Sequence, residues 1–426
     1  MKPHLFVAGV GWISRLVFVL VGIASIRLLS TILGPNDYAA FSVLFGLAGW
    51  FALGDLGLGP GLQNALSHRR AHEKDPSRII SSALLILAVL FFLEAILLVC
   101  LSPSLGPWVL GKILSSSACH PKDVFLVGGI ILTITGLASI QYRIWFAEKI
   151  GYWSHIVPTI GQVIGYLLVS SFISSETTNK LLWTILLFLA PSGLLPLLPL
   201  FKRFHVKILI DFSGHFKVGW LLLRQSIGYF LFSFLAAAVL NIDNIVASQF
   251  LHANEIIGYN VLNKVFGFGL FGYSAVLTAL WPELSEAFAK GHRAEIFDRV
   301  KTHLVVGFFT MSIFCLIISI FSKKILVFLC PTISWQPTTE LLLLLSLYQL
   351  TRVWTDTFAI VLQSANRIAP LLFWVPIQAI TGFLFQVSLA PKLGATGISL
   401  GILGSFFLTV TWALPKSAIK IIFPLP

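Results

Sequence analysis

The sequence predicts an all-α polytopic membrane protein with about twelve transmembrane helices in two six-helix lobes. The first reason is composition: of 426 residues, 57% are hydrophobic and 11% are charged, and the mean hydropathy is +0.91. Soluble domains carry about 25% charged residues, so a chain this apolar is expected to reside in a bilayer. The second reason is an internal repeat, in which residues of the first half return in the second half at one constant shift in numbering.

The repeat relates several separated segments by the same shift. The matching pairs are Ser30 and Ser248, Leu33 and Leu251, Asn36 and Asn254, Asp37 and Glu255, Phe41 and Tyr259, Val43 and Val261, Leu44 and Leu262, Lys149-Ile150 and Arg367-Ile368, and Val157-Pro158 and Val375-Pro376. The shift is close to half the chain, which predicts an N-lobe of residues 1–208 and a C-lobe of residues 209–426. Because each lobe has an even number of spans, the pseudo-twofold axis relating them lies along the membrane normal. Such symmetry is typical of transporters whose substrate lies between the halves.

Apolar windows long enough to cross a bilayer define the spans in order. Their centres lie near Phe18, Phe45, Val89, Leu132, Ile164, Leu187, Leu231, Phe268, Phe309, Leu347, Gly382 and Phe407. Lysine and arginine concentrate in alternate loops, starting before the first span, which predicts that both termini are cytoplasmic. The connector at residues 202–217 mixes basic and apolar residues, which favours an amphipathic segment at the membrane surface.

Composition and motifs exclude several classes of function. The net charge of +12 is explained by basic cytoplasmic loops, so no nucleic-acid partner is predicted. No Cys, His or acidic residues have the spacing of a metal site, and no cofactor is expected. Residues 106–112 imitate a phosphate-binding loop, but Ile113 stands where a Ser or Thr would hold magnesium. The sequence therefore predicts a transporter rather than an enzyme, driven downhill or by an H⁺ or Na⁺ gradient.

Charged side chains inside the spans form the candidate site, because a charge at the bilayer centre costs at least about 2.5–3.5 kcal/mol. Cations outnumber carboxylates there, and surplus positive charge predicts an anionic ligand such as phosphate, which guanidinium groups bind through paired hydrogen bonds. The cations expected to bind substrate in a central cavity are Arg15, Arg27, Arg224, Lys264 and Arg352. The carboxylates with a coupling or structural role are Asp55, Glu94, Asp243 and Asp356.

Several of these residues also have a purely structural explanation. Arg352 and Asp356 are one helical turn apart and can neutralise each other. Asp243 lies near the expected outer end of its helix, where it can be hydrated. Asp55 lies in a glycine-rich stretch that lets helices approach closely. Glu94 lies deep in its span, where it either titrates or pairs with an arginine of another helix.

Two regions of the chain resemble a known family. Residues 33–44 (LGPNDYAAFSVL) and 55–67 (DLGLGPGLQNALS) are similar to the first hairpin of bacterial polysaccharide transporters. These are the O-antigen, or lipid-linked oligosaccharide, flippases of the MATE-like MOP superfamily. Residues 241–245, 259–264 and 279–282 resemble the start of that family's second half, and they include Asp243 and Lys264. Arg15, Arg27 and Arg224 lie outside every segment that carries the resemblance.

The resemblance implies a function and a cellular setting. It implies a MATE-like flippase that moves undecaprenyl-diphosphate-linked oligosaccharide repeat units across the bacterial inner membrane by alternating access, for surface polysaccharide synthesis. The implied partners are the lipid-linked glycan and membrane lipid, and an association with other envelope polysaccharide assembly proteins is left open. Two alternatives remain: a multidrug or cation antiporter of the same superfamily, and a membrane polysaccharide polymerase or ligase, against which the lack of a sizeable outer loop argues.

Overall fold

The computed structural model describes residues 3–71, 75–115, 117–148, 150–174, 176–203 and 211–423. All regular secondary structure within these ranges is helical, which confirms the predicted fold class. The helices form two compact units, Met1–Ala237 and Ala238–Pro426. The lobe boundary that the repeat predicts, after residue 208, stays a prediction. Residues 204–210 of the expected amphipathic connector lie outside the described residues.

The N-terminal unit begins with a long helix that is interrupted at a glycine. Gly34 has φ 73° and ψ 175°, and such a positive φ is readily adopted only by glycine. The helix therefore carries the first predicted span and the start of the second. The helices of this unit are α1 (Pro3–Gly46), α2 (Ala48–Phe51), α3 (Leu58–Ala71), α4 (Ser77–Leu110), α5 (Pro121–Ala138), α6 (Ile140–Ala147), α7 (Trp153–Phe172), α8 (Lys180–Arg203) and the first part of α9 (Phe212–Phe250).

The C-terminal unit contains a second interrupted helix. Gly394, at φ 59° and ψ −138°, separates the last two predicted spans within it. Besides the rest of α9, the helices of this unit are α10 (Ala253–Lys290), α11 (Arg293–Leu329), α12 (Thr339–Ser364), α13 (Ala369–Leu408) and α14 (Val410–Ile422).

Every predicted span centre falls on a helix, and these helices follow one another in the predicted order. Within the described residues, eight helical stretches are long and apolar enough to cross a membrane. Two of them, Ile13–Asp55 and Ala369–Ile422, each hold two predicted spans. The length and composition of the helices therefore support a multi-pass membrane protein.

The second span departs from the continuous helix that its hydropathy suggests. A short 3₁₀ helix, Ala52–Asp55, follows α2, and the helix then breaks at Leu56 and Gly57, with φ 48° and 78°. Gly57 packs directly on the backbone of α9 at Ser226 and Phe230. The glycine-rich stretch thus brings two helices into backbone contact, as the sequence indicates, and it also breaks its own helix to do so.

The chain turns between the first two predicted spans of each half, and the two halves build this turn in different ways. In the first half the reversal lies at Gly34, within α1. At the matching position of the second half, His252 separates α9 from α10 with φ −79° and ψ 157°, an extended conformation open to any residue. The repeat therefore preserves the position of the turn but not the backbone angles that produce it.

The first part of α9 packs into the apolar core of the N-terminal unit. Leu222 and Leu223 of α9 belong to the same buried cluster as Leu58 and Leu62 of α3 and Ile80 of α4. Burial of such side chains stabilises membrane proteins mainly through close packing, since lipid is as apolar as leucine. This packing explains why the N-terminal unit extends to residue 237.

Candidate functional site

Two of the predicted cations lie on α1. Arg15 is half-buried, and its charge lies close to the imidazole of His155 on α7. Arg27 is exposed and lies twelve residues further along the same helix. Twelve residues of α-helix span about 18 Å, so a single phosphate group cannot lie beside both arginines at once. The two arginines therefore mark separate points along α1.

Arg224 lies on α9, in the middle of the apolar stretch Phe212–Leu235. Its side chain is exposed. Among the residues that the structure describes, it has neither a hydrogen-bond partner nor an ion-pair partner. Arg224 therefore retains its full capacity to bind an anion.

Asp55 organises the break in the second span. Its Oδ1 accepts a hydrogen bond from the Gly57 N–H at 2.8 Å, and its Oδ2 accepts one from the Gly59 N–H at 2.9 Å. A carboxylate that binds free N–H groups at the start of a helix stabilises that start, here the beginning of α3. Asp55 also lies near the charge of Arg143 on α6. The structure thus gives Asp55 a clear local role as a helix cap.

Glu94 of α4 lies directly against Gly54, whose missing side chain makes room for the carboxylate. The charges of Glu94 and Asp55 are close enough to repel each other. Within the described part of the chain no arginine forms an ion pair with Glu94. The pairing that the sequence left open is therefore not observed, and the glutamate instead shares its environment with a second carboxylate.

Asp243 is the best-satisfied carboxylate of the C-terminal unit, and it is not a hydrated helix end, since only 4% of its surface is exposed. Its Oδ2 accepts hydrogen bonds from the Tyr259 hydroxyl at 3.0 Å and from the Asn263 amide at 3.4 Å. Its Oδ1 accepts from the Asn244 backbone N–H at 2.9 Å and from the Asn244 side-chain amide at 3.0 Å. Neutral donors from α9 and α10 therefore hold this buried carboxylate.

Arg352 and Asp356 form the ion pair that their spacing predicts. The guanidinium Nη2 lies 2.9 Å from Asp356 Oδ2, and Nε donates to both carboxylate oxygens at 3.1 Å. The Tyr348 hydroxyl accepts a further hydrogen bond from Nη1 at 3.1 Å. Because the carboxylate neutralises this arginine locally, Arg352 has less charge to offer an anion than Arg224 has.

The interior of the C-terminal unit is polar beyond these pairs. Tyr348 lies close enough to Asp243 for the two to interact electrostatically, so Tyr348 connects Asp243 with the pair of Arg352 and Asp356. The buried glutamines Gln349, Gln378 and Gln386 each have a side-chain atom without a partner among the described residues. Buried polar atoms normally bind water when protein partners are lacking. Lys264 follows Asn263 on α10, and its side chain is exposed.

Within each unit, several of the predicted residues lie together. Asp55 and Glu94 lie together in the N-terminal unit, and Asp243, Arg352 and Asp356 are linked through tyrosines in the C-terminal unit. Sequence reasoning missed Tyr259, Asn263 and Tyr348, which hold those charges. A partial signal existed for Tyr348 alone, because it precedes Arg352 by one helical turn.

Comparison with known proteins decides the family. Over 420 residues the chain is 33% identical to an O-antigen export protein of Yersinia pseudotuberculosis, with 98% of this chain and 96% of the relative covered. The chain belongs to the O-antigen transporter family. An O-antigen transporter of Salmonella typhimurium is also 33% identical, over 423 residues that cover 97% of this chain and 96% of the relative. No protein-family model matches the sequence.

Solved structures establish the fold of this O-antigen transporter family member. An inward-facing multidrug-resistance MATE transporter of the MOP superfamily aligns with a TM-score of 0.73 at 13% identity, covering 95% of this chain and 94% of that chain. The lipid II flippase MurJ, in an inward closed conformation, aligns with a TM-score of 0.67 at 15% identity, covering 98% and 89%. The fold is therefore MATE-like, and the family of the chain makes it a multi-pass membrane transporter.

Proposed function

We propose that the protein flips an undecaprenyl-diphosphate-linked O-antigen repeat unit from the cytoplasmic to the outer leaflet by alternating access. The names of the relatives support O-antigen material as the cargo. The similarity in fold to a lipid II flippase supports a lipid-linked form of that cargo. In this mechanism the lipid tail stays in the bilayer while the charged sugar-diphosphate head crosses through a cationic route.

The observation that carries the proposal is Arg224. A guanidinium in the middle of an apolar span, without a partner among the described residues, is expensive unless its surroundings are hydrated or an anion approaches. A diphosphate meets this need, since guanidinium groups bind phosphate oxygens through two parallel, charge-assisted hydrogen bonds. The exposed Arg27 and Lys264 and the half-buried Arg15 would bind the same anion at other stages of the transport cycle.

The carboxylates support a second part of the mechanism. Asp55 caps a helix and Asp356 neutralises Arg352, which favours structural roles for both. Glu94 and Asp243 have no cationic partner among the described side chains, so we propose that they are the residues able to couple transport to an ion gradient. Arg352 is retained as a weaker candidate for contact with the substrate.

The proposed setting is the cytoplasmic membrane of a bacterium, with both termini on the cytoplasmic side. The concentration of Lys and Arg in alternate loops supports this orientation. Other envelope polysaccharide assembly proteins would receive the flipped glycan on the outer side, because a repeat unit must be polymerised or ligated after it crosses.

A charge-reversal experiment tests the proposal. A strain lacking the protein is complemented with Arg15→Glu, Arg224→Glu or Lys264→Glu, and the lipid-linked glycan in the outer leaflet is measured in spheroplasts with an added glycan-binding protein. We expect each reversal to reduce export about tenfold or more at unchanged membrane level, because the substrate anion is repelled. Arg293→Glu, at the exposed start of α11, is the matched control and should export normally. Normal export from all three variants, or from the strain without the protein, would contradict the proposal.

The antiporter alternative makes a different prediction. Binding of cationic drugs would need free carboxylates, whereas Asp55, Asp243 and Asp356 are each bound by donors of the protein itself. Cells lacking the protein should therefore have unchanged susceptibility to cationic drugs, and increased susceptibility would favour the antiporter.

A further inference from the structure

One exposed face of α9 combines two cations with a tryptophan. Trp220 and Arg224 follow Lys217 by three and seven residues, and residues at this spacing share a helix face. All three side chains are exposed, with 56% of the Trp220 surface accessible. Among the described residues neither Lys217 nor Arg224 has a hydrogen-bond or ion-pair partner. This set is called here the α9 face; Arg224 belongs to the site that the charges of the sequence defined, and Lys217 and Trp220 are new to it.

The depth of Arg224 argues that the α9 face contacts water or ligand rather than lipid. Arg224 lies twelve residues after Phe212, at which the apolar stretch begins. Twelve residues correspond to about 18 Å of helix, so Arg224 lies near the middle of this 24-residue apolar stretch. A guanidinium facing lipid at that depth is costly and is therefore rare.

Contacts on the opposite side fix the rotation of this helix. Gly219 packs on the backbone of Ser82 and on the side chain of Ile86, and Ser226 packs against Gly61. Backbone contacts of this kind tolerate no rotation of α9, because larger side chains would collide. The α9 face is therefore held away from the core of the N-terminal unit.

Aromatic rings extend from the α9 face towards the start of the helix. The Phe212 and Phe216 rings lie 6.1 Å apart and nearly parallel, at 16°, and the Phe216 and Trp220 rings lie 6.5 Å apart at 8°. The faces of aromatic rings attract the polarised C–H groups of sugars, so exposed rings beside cations offer a surface for a sugar that carries phosphate. The row of rings ends at Trp220, and Arg224 lies one helical turn beyond it.

We propose that the α9 face binds the junction between sugar and diphosphate in the lipid-linked glycan, with the first sugar on Trp220 and the diphosphate between Lys217 and Arg224. This inference rests on the proposed function and adds residues and roles to it. Lys217 and Arg224 lie about 10.5 Å apart along the axis, on either side of Trp220, and their long side chains can reach one ligand bound between them. Cations supply affinity for any polyprenyl diphosphate, whereas Trp220 supplies selectivity for one that carries a sugar.

The test compares two probes with the purified full-length protein in lipid nanodiscs. One probe is undecaprenyl diphosphate, and the other is the same lipid with one N-acetylglucosamine on the diphosphate. We expect Trp220→Ala to weaken binding of the sugar-bearing lipid about tenfold, with less than about a twofold change for the bare diphosphate, and Trp220→Phe to restore most of the difference. Lys217→Gln and Arg224→Gln should each weaken both probes about tenfold.

A tryptophan outside the α9 face provides the control. Trp183 of α8 is 50% exposed, and Trp183→Ala should bind both probes as the unchanged protein does. If the unchanged protein binds both lipids and the α9 variants bind them equally well, the assignment of this face is overturned while the proposed function survives. If the unchanged protein binds neither lipid, both proposals fail together.

Discussion

Replacing Gly57 by alanine tests the backbone contact that joins the broken second span to α9. A Cβ added at Gly57 would lie 2.5 Å from the Phe230 nitrogen and 2.7 Å from the Ser226 oxygen, both of which belong to a helix backbone. Gly57 also has φ 78°, which costs a residue with a Cβ about 1–2 kcal/mol. Overpacking adds typically about 1–3 kcal/mol, so the expected total is about 2–5 kcal/mol.

Two other glycines separate these contributions. Gly34 has a similar φ of 73°, but no described atom lies within 4 Å of its added Cβ, so Gly34→Ala should cost only the backbone part, about 1–2 kcal/mol. Gly272 of α10 has neither a positive φ nor a close neighbour, and Gly272→Ala should be neutral or stabilising by up to about 1 kcal/mol. The three variants thus form a graded series.

The free energy of unfolding of each variant is measured by titrating the protein in mixed micelles with dodecyl sulfate while recording helix content. We expect Gly272→Ala to be the most stable of the three, Gly34→Ala intermediate and Gly57→Ala the least stable. If the Gly57→Ala protein is as stable as the Gly34→Ala protein, the reasoning is refuted, because α9 would then make no close backbone contact with Gly57 in the folded protein.

Two further outcomes are expected from the same titration. Asp356→Leu should destabilise the protein by roughly 2–4 kcal/mol because it leaves the Arg352 guanidinium without its carboxylate partner. The double variant Arg352→Met/Asp356→Leu should recover most of that loss. If it recovers none, the loss of the ion pair is not the cause of the destabilisation. Tyr259→Phe removes a hydroxyl donor from the buried Asp243 and should cost about 1–3 kcal/mol, and an unchanged stability would contradict that hydrogen bond.

The helices could be predicted from sequence because each span is a long apolar run. All predicted centres, from Phe18 to Phe407, fall on helices. The ion pair between Arg352 and Asp356 was also predictable, since a spacing of four residues places two side chains on adjacent turns of one helix. Local periodicity was sufficient in both cases.

Contacts between helices could not be predicted in the same way. The partners of Asp243 are Tyr259 and Asn263, which lie on the next helix, and only the packing angle of two helices selects them. The helix break at Gly57 was missed because the glycines around it were interpreted as a site of close helix approach and not as a break in the helix. Burial of Asp243 likewise depends on how α9 and α10 pack against each other, and this packing cannot be predicted from composition.

The different angles at Gly34 and His252 limit how far the two halves can be exchanged. A duplicated gene starts with identical turns, yet here one copy has come to depend on glycine while the other accepts an imidazole side chain. A chimaera that inserts histidine at position 34 would force that residue into an unfavourable left-handed backbone. The two halves are therefore not interchangeable at this turn.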